Sequence, residues 1–131
     1  MTERLVLDAG ALIALERDDR AMWARLDVAS DLSLDVVVPA GALAQVWRGR
    51  PNQARLARAV KDMRLGTFDA LARQAGELCQ MTRTSDPIDA AVVLNAVGAE
   101  SVIVTSDAAD IRRLVRALPR DLGSRISIVR A

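Results

Sequence analysis

Histidine is absent from the 131-residue sequence, and cysteine occurs once, at Cys79. Without histidine the chain lacks the commonest general base and the commonest transition-metal ligand, which excludes Ser-His-Asp and Cys-His enzymes. A single cysteine can form neither an intramolecular disulfide nor a thiolate zinc site. We therefore expect Cys79 to pack as a small apolar group in a reducing compartment.

Aromatic residues are scarce, at 2% of the chain, and tyrosine is absent. This scarcity argues against a stacking platform for single-stranded nucleic acid, which depends on aromatic side chains. Lysine occurs only at Lys61, so arginine supplies nearly all of the positive charge. Arginine forks match phosphate groups bidentately, but the net charge of +1 neither indicates nor excludes a nucleic-acid partner.

Targeting and membrane patterns are also missing from the sequence. Residues 1–4 lead into only three apolar residues, which is not the pattern of a signal peptide, and no apolar run approaches the length of a membrane span. Hydrophobic residues nevertheless make up 51% of the chain, which is enough for a packed core. We expect one domain over residues 1–131, located in the cytoplasm and not associated with a membrane.

Short apolar strands alternate with helical segments along the chain. The pattern predicts strands near residues 5–7, 34–38, 101–105 and 126–129, with a shorter one near 63–65. Between them it predicts helices near residues 9–17, 21–29, 40–48, 53–62, 68–81, 88–97 and 108–117. Such alternation is typical of an α/β fold with three layers. We expect a central parallel sheet of about four to five strands with helices on both faces.

Four aspartates occupy the ends of these elements. Asp8 and Asp107 each follow an apolar strand, Asp110 lies one turn further along the helix after Asp107, and Asp89 lies in the first turn of a helix that begins at Asp86. Each can be explained as a helix cap, and the spacing of three from Asp86 to Asp89 and from Asp107 to Asp110 is that of a capping box. However, serine or asparagine caps a helix equally well, so the repeated aspartate exceeds what capping requires.

The alternative explanation requires these carboxylates to meet in space. Two carboxylates about 4 Å apart repel each other by roughly 4 kcal/mol at an effective dielectric near 20, and a divalent cation relieves this repulsion. Oxygen ligands without histidine or paired cysteine favour Mg²⁺ or Mn²⁺ over zinc. Such an ion supports phosphodiester hydrolysis, which requires no histidine.

Four segments of the chain resemble the motifs of a known family. Residues 7–15 resemble the opening motif of PIN-domain ribonucleases, especially the VapC-type toxins of bacterial toxin–antitoxin pairs. Residues 39–49, 88–92 and 104–110 are similar to the second, third and fourth motifs and follow in the family order. The resemblance covers essentially the whole chain.

The resemblance implies a PIN-like fold in which the strands before Asp8 and Asp107 lie side by side. It further implies that Asp8, Asp89 and Asp107 are catalytic and hold Mg²⁺ or Mn²⁺, with Asp110 as an additional ligand. The implied activity is endonucleolytic cleavage of RNA by a metal-activated water, leaving a 5′-phosphate and a 3′-hydroxyl. The implied partners are an RNA substrate, a second copy of the chain in a homodimer, and an antitoxin protein whose C-terminal segment fills the acidic groove.

One position departs from the family pattern, because Gln45 stands where the second motif normally carries glutamate. A neutral amide can hold a water or coordinate weakly through its carbonyl oxygen, but it adds no charge. An alternative interpretation is therefore a catalytically weakened PIN-like module that binds RNA or protein. Glu16, the nearest spare acid in sequence, is expected to be exposed, as glutamate usually is.

Arginines near the motifs are candidates for guiding the RNA backbone, although a solvated helix face is the favoured explanation for each of them. These residues are Arg48, Arg50, Arg112, Arg113 and Arg116.

Other acidic α/β proteins fit the sequence less well. A receiver domain requires a lysine at a late strand end, and the only lysine is Lys61. A haloacid-dehalogenase-type phosphatase requires Asp-x-Asp after the first strand, where this chain has Gly10. A purely structural α/β domain, with every acid a cap, remains as a further alternative.

Overall fold

Five strands form the central sheet of the computed structural model, which describes residues 1–84 and 86–131. The strands are β1 (Arg4–Leu7), β2 (Asp35–Pro39), β3 (Arg64–Gly66), β4 (Ser101–Thr105) and β5 (Ile126–Arg130). They lie in the order β3-β2-β1-β4-β5, and every neighbouring pair is parallel. The predicted α/β class and the parallel sheet are confirmed.

Helices connect the strands. They are α1 (Ala9–Glu16), α2 (Arg20–Asp31), α3 (Ala40–Val46), α4 (Ala54–Lys61), α5 (Ala72–Thr82), α6 (Pro87–Asn95), α7 (Ala108–Arg116) and α8 (Arg120–Gly123). Short 3₁₀ turns at Pro51–Gln53 and Asp69–Leu71 precede α4 and α5. The strand and helix predictions agree with these elements to within a few residues, but α8 and the first 3₁₀ turn were not predicted. No helix in the described part of the chain has the length and apolarity that crossing a bilayer requires.

The strand order determines which face each helix covers. The chain passes from β1 to β2 and β3 in one direction, returns across the sheet to β4, and continues outward to β5. Because parallel crossovers are right-handed, the connections before and after this return lie on opposite faces. Accordingly, α1 packs with α2, α3 and α4, whereas α5, α6 and α7 pack with one another. The sheet is therefore the middle of three layers.

The core lies on both faces of the central strands. Val6 and Leu7 in β1 and Ile103 and Val104 in β4 are fully buried, as expected for parallel strands covered by helices. The apolar helix α6 is also buried along most of its length. Cys79 is a free, buried thiol within this core, which confirms its predicted packing.

An ion-pair network fixes the amino ends of the strands, opposite the end at which Asp8 lies. Asp35 accepts hydrogen bonds from Arg4 Nε at 3.0 Å and from Arg64 Nη2 at 2.8 Å. Arg4 also donates to the carbonyl oxygens of Asn95 and Val97, at the end of α6. The hydrogen bonds from Arg64, followed by the other contributions of Arg64 and Arg4, hold the pKa of Asp35 below its ordinary value despite partial burial.

Candidate metal centre

The crevice at the carboxyl ends of β1 and β4 is the point at which the direction of the chain reverses. Leu7 pairs with Val104, and the Asp8 N–H donates to the Val104 carbonyl oxygen at 3.0 Å. From here α1 leaves toward one face and α7 toward the other, so the two strand ends enclose a crevice. Ligands of open α/β sheets bind at such a switch point.

Gly10 allows the two strand ends to approach closely. A Cβ at this position would lie 2.7 Å from the backbone nitrogen of Ser106 and would collide with its side chain. A residue larger than glycine would push the start of α1 away from the loop after β4. Close packing against Ser106 therefore explains why position 10 is a glycine.

Three of the predicted carboxylates converge in this crevice. One carboxylate oxygen from each of Asp89, Asp107 and Asp110 lies within 4.8 Å of the others. Asp89 comes from the first turn of α6 and Asp110 from the first turn of α7, and these two helices pack together. The sequence predicts that all four aspartates meet, and the structure groups these three.

Asp8 lies beside this group but is not one of its members within the described residues. Its side chain is 5% exposed, and its carboxylate accepts hydrogen bonds from the Ala9 N–H at 2.7 Å and the Thr105 hydroxyl at 2.8 Å. Its negative charge nevertheless contributes to the raised pKa of both Asp89 and Asp107. Asp8 is thus a buried carboxylate that interacts with the acidic group through its charge.

Thr105 connects the two strand-end aspartates and was not identified from the sequence. Its buried hydroxyl donates to Asp8 and accepts from the Asp107 N–H at 2.9 Å. The only signal in the sequence was a hydroxyl residue at the end of a strand, two positions before an aspartate. Such a residue is also common in strands for reasons of packing.

Capping accounts for some of the acids in this crevice and not for others. The caps of α6 come from Asp86, whose Oδ1 accepts from the Ile88 and Asp89 N–H groups. At α7, the side chain of Asp107 makes no capping hydrogen bond within 3.5 Å to any described residue. The Asp110 N–H is still close enough to offset a small part of the rise in the pKa of Asp107. Asp89 and Asp107 are thus not explained as helix caps.

Burial and mutual repulsion raise the pKa of these acids. Burial raises the pKa of Asp89 most, followed by the charges of Asp86, Asp8, Asp107 and Asp110, and the result is about 7. The pKa of Asp107 is also raised, first by partial removal of water and then by a hydrogen bond and repulsion from Asp110. Burial and repulsion thus make it unfavourable for all of these carboxylates to be ionised at once. A bound cation would offset this cost.

The acids line a cleft of about 420 Å³, which we call the acidic cleft. Its remaining walls carry positive charge, from Arg83 at the end of α5 and Arg113 on α7. The candidate ligands are all carboxylate oxygens, which fit a hard divalent ion such as Mg²⁺ or Mn²⁺. The cleft thus combines carboxylates that can bind a metal ion with two arginines that can bind a phosphate.

Gln45 does not lie in the acidic cleft, and neither do the candidate arginines Arg48 and Arg50. Exposed Gln45 lines a second cleft of about 270 Å³ together with Glu16, Arg48 and Arg50. Glu16, which is expected to be exposed, is only partly exposed, because it sits on the side of α1 that faces this cleft. Of the candidate arginines, Arg113 lines the acidic cleft. Arg112 and Arg116 are exposed on α7.

No model of a known protein family matches this sequence, and no curated protein matches it either. The resemblance to PIN-domain ribonucleases therefore stays a prediction. The arrangement of the acidic cleft is the main observation that bears on function.

Proposed function

We propose that this protein is a Mg²⁺- or Mn²⁺-dependent endoribonuclease that hydrolyses RNA phosphodiester bonds. The observation that carries the proposal is the convergence of the Asp89, Asp107 and Asp110 carboxylates at the switch point of the sheet. Oxygen ligands gathered at such a point suit a divalent ion and a phosphate-containing substrate. The motif resemblance supplies the choice of RNA.

Asp89, Asp107 and Asp110 would hold the ion, and the neighbouring charge of Asp8 would attract it further. A bound divalent ion would neutralise the phosphate and increase the acidity of a coordinated water. The hydrogen bonds from Thr105 and Ala9 keep Asp8 in place. These contacts and the burial of Asp8 keep a negative charge in a fixed position next to the three carboxylates.

The other residues of the acidic cleft would orient the substrate. Arg83 and Arg113 offer guanidinium groups to phosphate oxygens on the wall of the cleft. Without metal, the carboxyl group of Asp89 has a pKa of about 7, so near neutral pH it would exchange its proton for the ion that it binds.

A second candidate is a PIN-like module that binds RNA or protein without turnover. Gln45 favours it, since this exposed amide brings no charge where the resembling family has glutamate. The two candidates differ in one observable, because only the nuclease releases RNA fragments when metal is added.

We also propose that the protein is the toxin of a toxin–antitoxin pair. It would act in the cytoplasm as a homodimer inhibited by a small antitoxin protein. This proposal rests on the motif resemblance alone. Co-expression with the protein encoded by the neighbouring gene, followed by co-purification and size measurement, tests it. A lone gene and a monomer in solution would contradict it.

RNA cleavage with and without Mn²⁺ tests the nuclease proposal. Asp89→Asn and Asp107→Asn should each reduce metal-dependent cleavage at least about tenfold, because each removes a charged ligand. Asp121→Asn, which changes an exposed aspartate in the first turn of α8, is the matched control. Cleavage by the Asp89→Asn/Asp107→Asn double variant at the parent rate would refute the assignment.

A further inference from the structure

A second cleft, between α1 and the segment from Gln45 to Gln53, is lined by three arginines. We call it the arginine cleft, and its cationic residues are Arg17, Arg48 and Arg50. It holds about 270 Å³ and is otherwise lined by Ile13, Glu16, Gln45, Val46, Asn52 and Gln53. All three arginines are exposed, so their guanidinium groups can reach a ligand from solvent.

Buried Gln53 fixes the loop that carries two of these arginines. It is 4% exposed, and its Oε1 accepts from the backbone N–H groups of Arg48 at 2.8 Å and Gly49 at 3.1 Å. Its Nε2 donates to the Val46 carbonyl oxygen at 2.8 Å. Gly49 has a φ of +68°, which a residue with a side chain adopts at a cost. The loop is therefore held in one conformation before any ligand arrives.

The charge of the arginine cleft is not balanced by the protein. Elsewhere Arg4, Arg55, Arg64 and Arg125 form ion pairs with carboxylates. In the described part of the chain, none of the three arginines of the cleft has a carboxylate within 4.0 Å. Glu16 is the only acid in the lining, so positive charge exceeds negative charge there. Such a cleft fits an anionic ligand, and guanidinium forks fit phosphate best.

A shallow concavity adjoins the arginine cleft and extends toward the loop after β4. It holds about 370 Å³, and Ile13 and Arg17 line both this concavity and the arginine cleft. The rest of its lining is Gly10, Ala14, Asp19, Ser106 and Ala131, and Ser106 immediately precedes Asp107 of the acidic cleft. The concavity thus extends from the arginines toward the loop that carries Asp107, and a polymer with repeated phosphates can reach both clefts.

We infer that the arginine cleft binds phosphodiester groups of the same single RNA strand whose scissile phosphate enters the acidic cleft. The inference rests on the proposed nuclease function and adds to it a substrate-binding subsite, with Arg17 and Arg50 as its principal contacts. Arg48 has a partly structural role, because its Nη1 donates to the carbonyl oxygens of Ala44 and Trp47.

Binding of a fluorescent single-stranded RNA oligonucleotide in EDTA, measured by anisotropy over a range of salt concentrations, tests the inference. The variant is Arg17→Gln/Arg50→Gln, which spares the hydrogen bonds of Arg48. Each phosphate contact on a single strand contributes about 0.7 to the slope of log K against log salt, so the variant should lose about 1.4. Its affinity should fall about 20-fold at roughly 0.1 M salt.

The matched control is Arg73→Gln/Arg120→Gln, which removes two exposed arginines that line neither cleft. It should keep the parent slope. A parent slope in the Arg17→Gln/Arg50→Gln variant, or an equal loss in the control, would overturn the inference. Unchanged RNA binding with loss of binding to a polyglutamate peptide would also overturn it and would assign the cleft to an acidic protein partner. Because EDTA prevents metal-dependent cleavage, this result is independent of whether the protein is a nuclease.

Discussion

Asp89→Asn should stabilise the metal-free protein while removing its response to metal. In the folded state, burial and four neighbouring aspartates raise the pKa of Asp89 from 3.8 to about 7. The folded protein therefore binds a proton that the unfolded chain has already released between these two pH values. The stability that this proton provides is fully present below about pH 4 and is lost as the pH rises through 7. At pH 8 the ionised carboxylate destabilises the folded state through burial of its charge and repulsion from its neighbours, and a neutral amide does not.

The magnitude follows from the size of the shift. A shift from 3.8 to about 7 corresponds to roughly 4 kcal/mol if taken at face value. Because Asp89 is only half-buried, solvent screening reduces this to about 2 kcal/mol. Asparagine also gives up the favourable position of a negative charge in the first turn of α6, worth about 0.5 kcal/mol. We expect a net gain of about 1.5 kcal/mol at pH 8, which raises the melting temperature by roughly 5 °C.

Urea denaturation in EDTA at pH 4 and pH 8 measures this effect, with Asp121→Asn as the control. The advantage of Asp89→Asn should be present at pH 8 and nearly vanish at pH 4, where the carboxyl group of the folded parent is protonated and that of the unfolded chain is about half protonated. Added Mn²⁺ should reverse the order at pH 8, since an ion at about 100 times its dissociation constant stabilises the parent by roughly 2.7 kcal/mol. A variant that is no more stable than the parent at pH 8 without metal would refute the electrostatic argument. An unchanged response to Mn²⁺ would refute the role of Asp89 as a ligand.

The remaining predictions concern metal affinity and two hydrogen-bond networks. Mn²⁺ affinity measured by calorimetry should fall about tenfold for each pH unit below 7, because the ion competes with the proton on Asp89; affinity independent of pH would contradict this. Thr105→Val leaves a buried oxygen of Asp8 without its donor and should cost about 1–3 kcal/mol in urea denaturation. Thr105→Ser should restore most of that loss, and equal stability of the two variants would exclude the hydrogen bond as the cause. Asp35→Asn should cost about 1 kcal/mol at pH 7, allowing for its partial exposure, and the cost should shrink as the pH falls through the lowered pKa of Asp35. A constant difference from pH 7 to pH 2 would show that charge is not responsible.

Most of the fold could be predicted because its elements carry local signals. Asp86-Pro87 marks the start of α6 to within one residue, since the aspartate caps and proline fits the first helical position. The β-branched runs of β2 and β4 identify the strands in a similar way. The short helix α8 carries no amphipathic period over its four residues, none of which is buried. A single helical turn leaves little trace in the sequence because it is too short to show a periodic pattern.

The site was predictable only as far as the chain's topology could be inferred. Asp107 and Asp110 are close because one helical turn separates them, and Asp89 joins them because α6 and α7 share a face of the sheet. The distinct role of Asp8 could not be read from the sequence, since it depends on a hydrogen bond from Thr105, 97 positions away. The location of Gln45 also depends on tertiary structure: its place in the motif suggests a metal site, but it lines the arginine cleft. If that cleft binds RNA phosphates, an uncharged residue suits this position better than glutamate, because a carboxylate there would repel the strand that the arginines attract. The difference from the motif that this segment resembles would then follow from substrate binding and would not require a loss of catalysis.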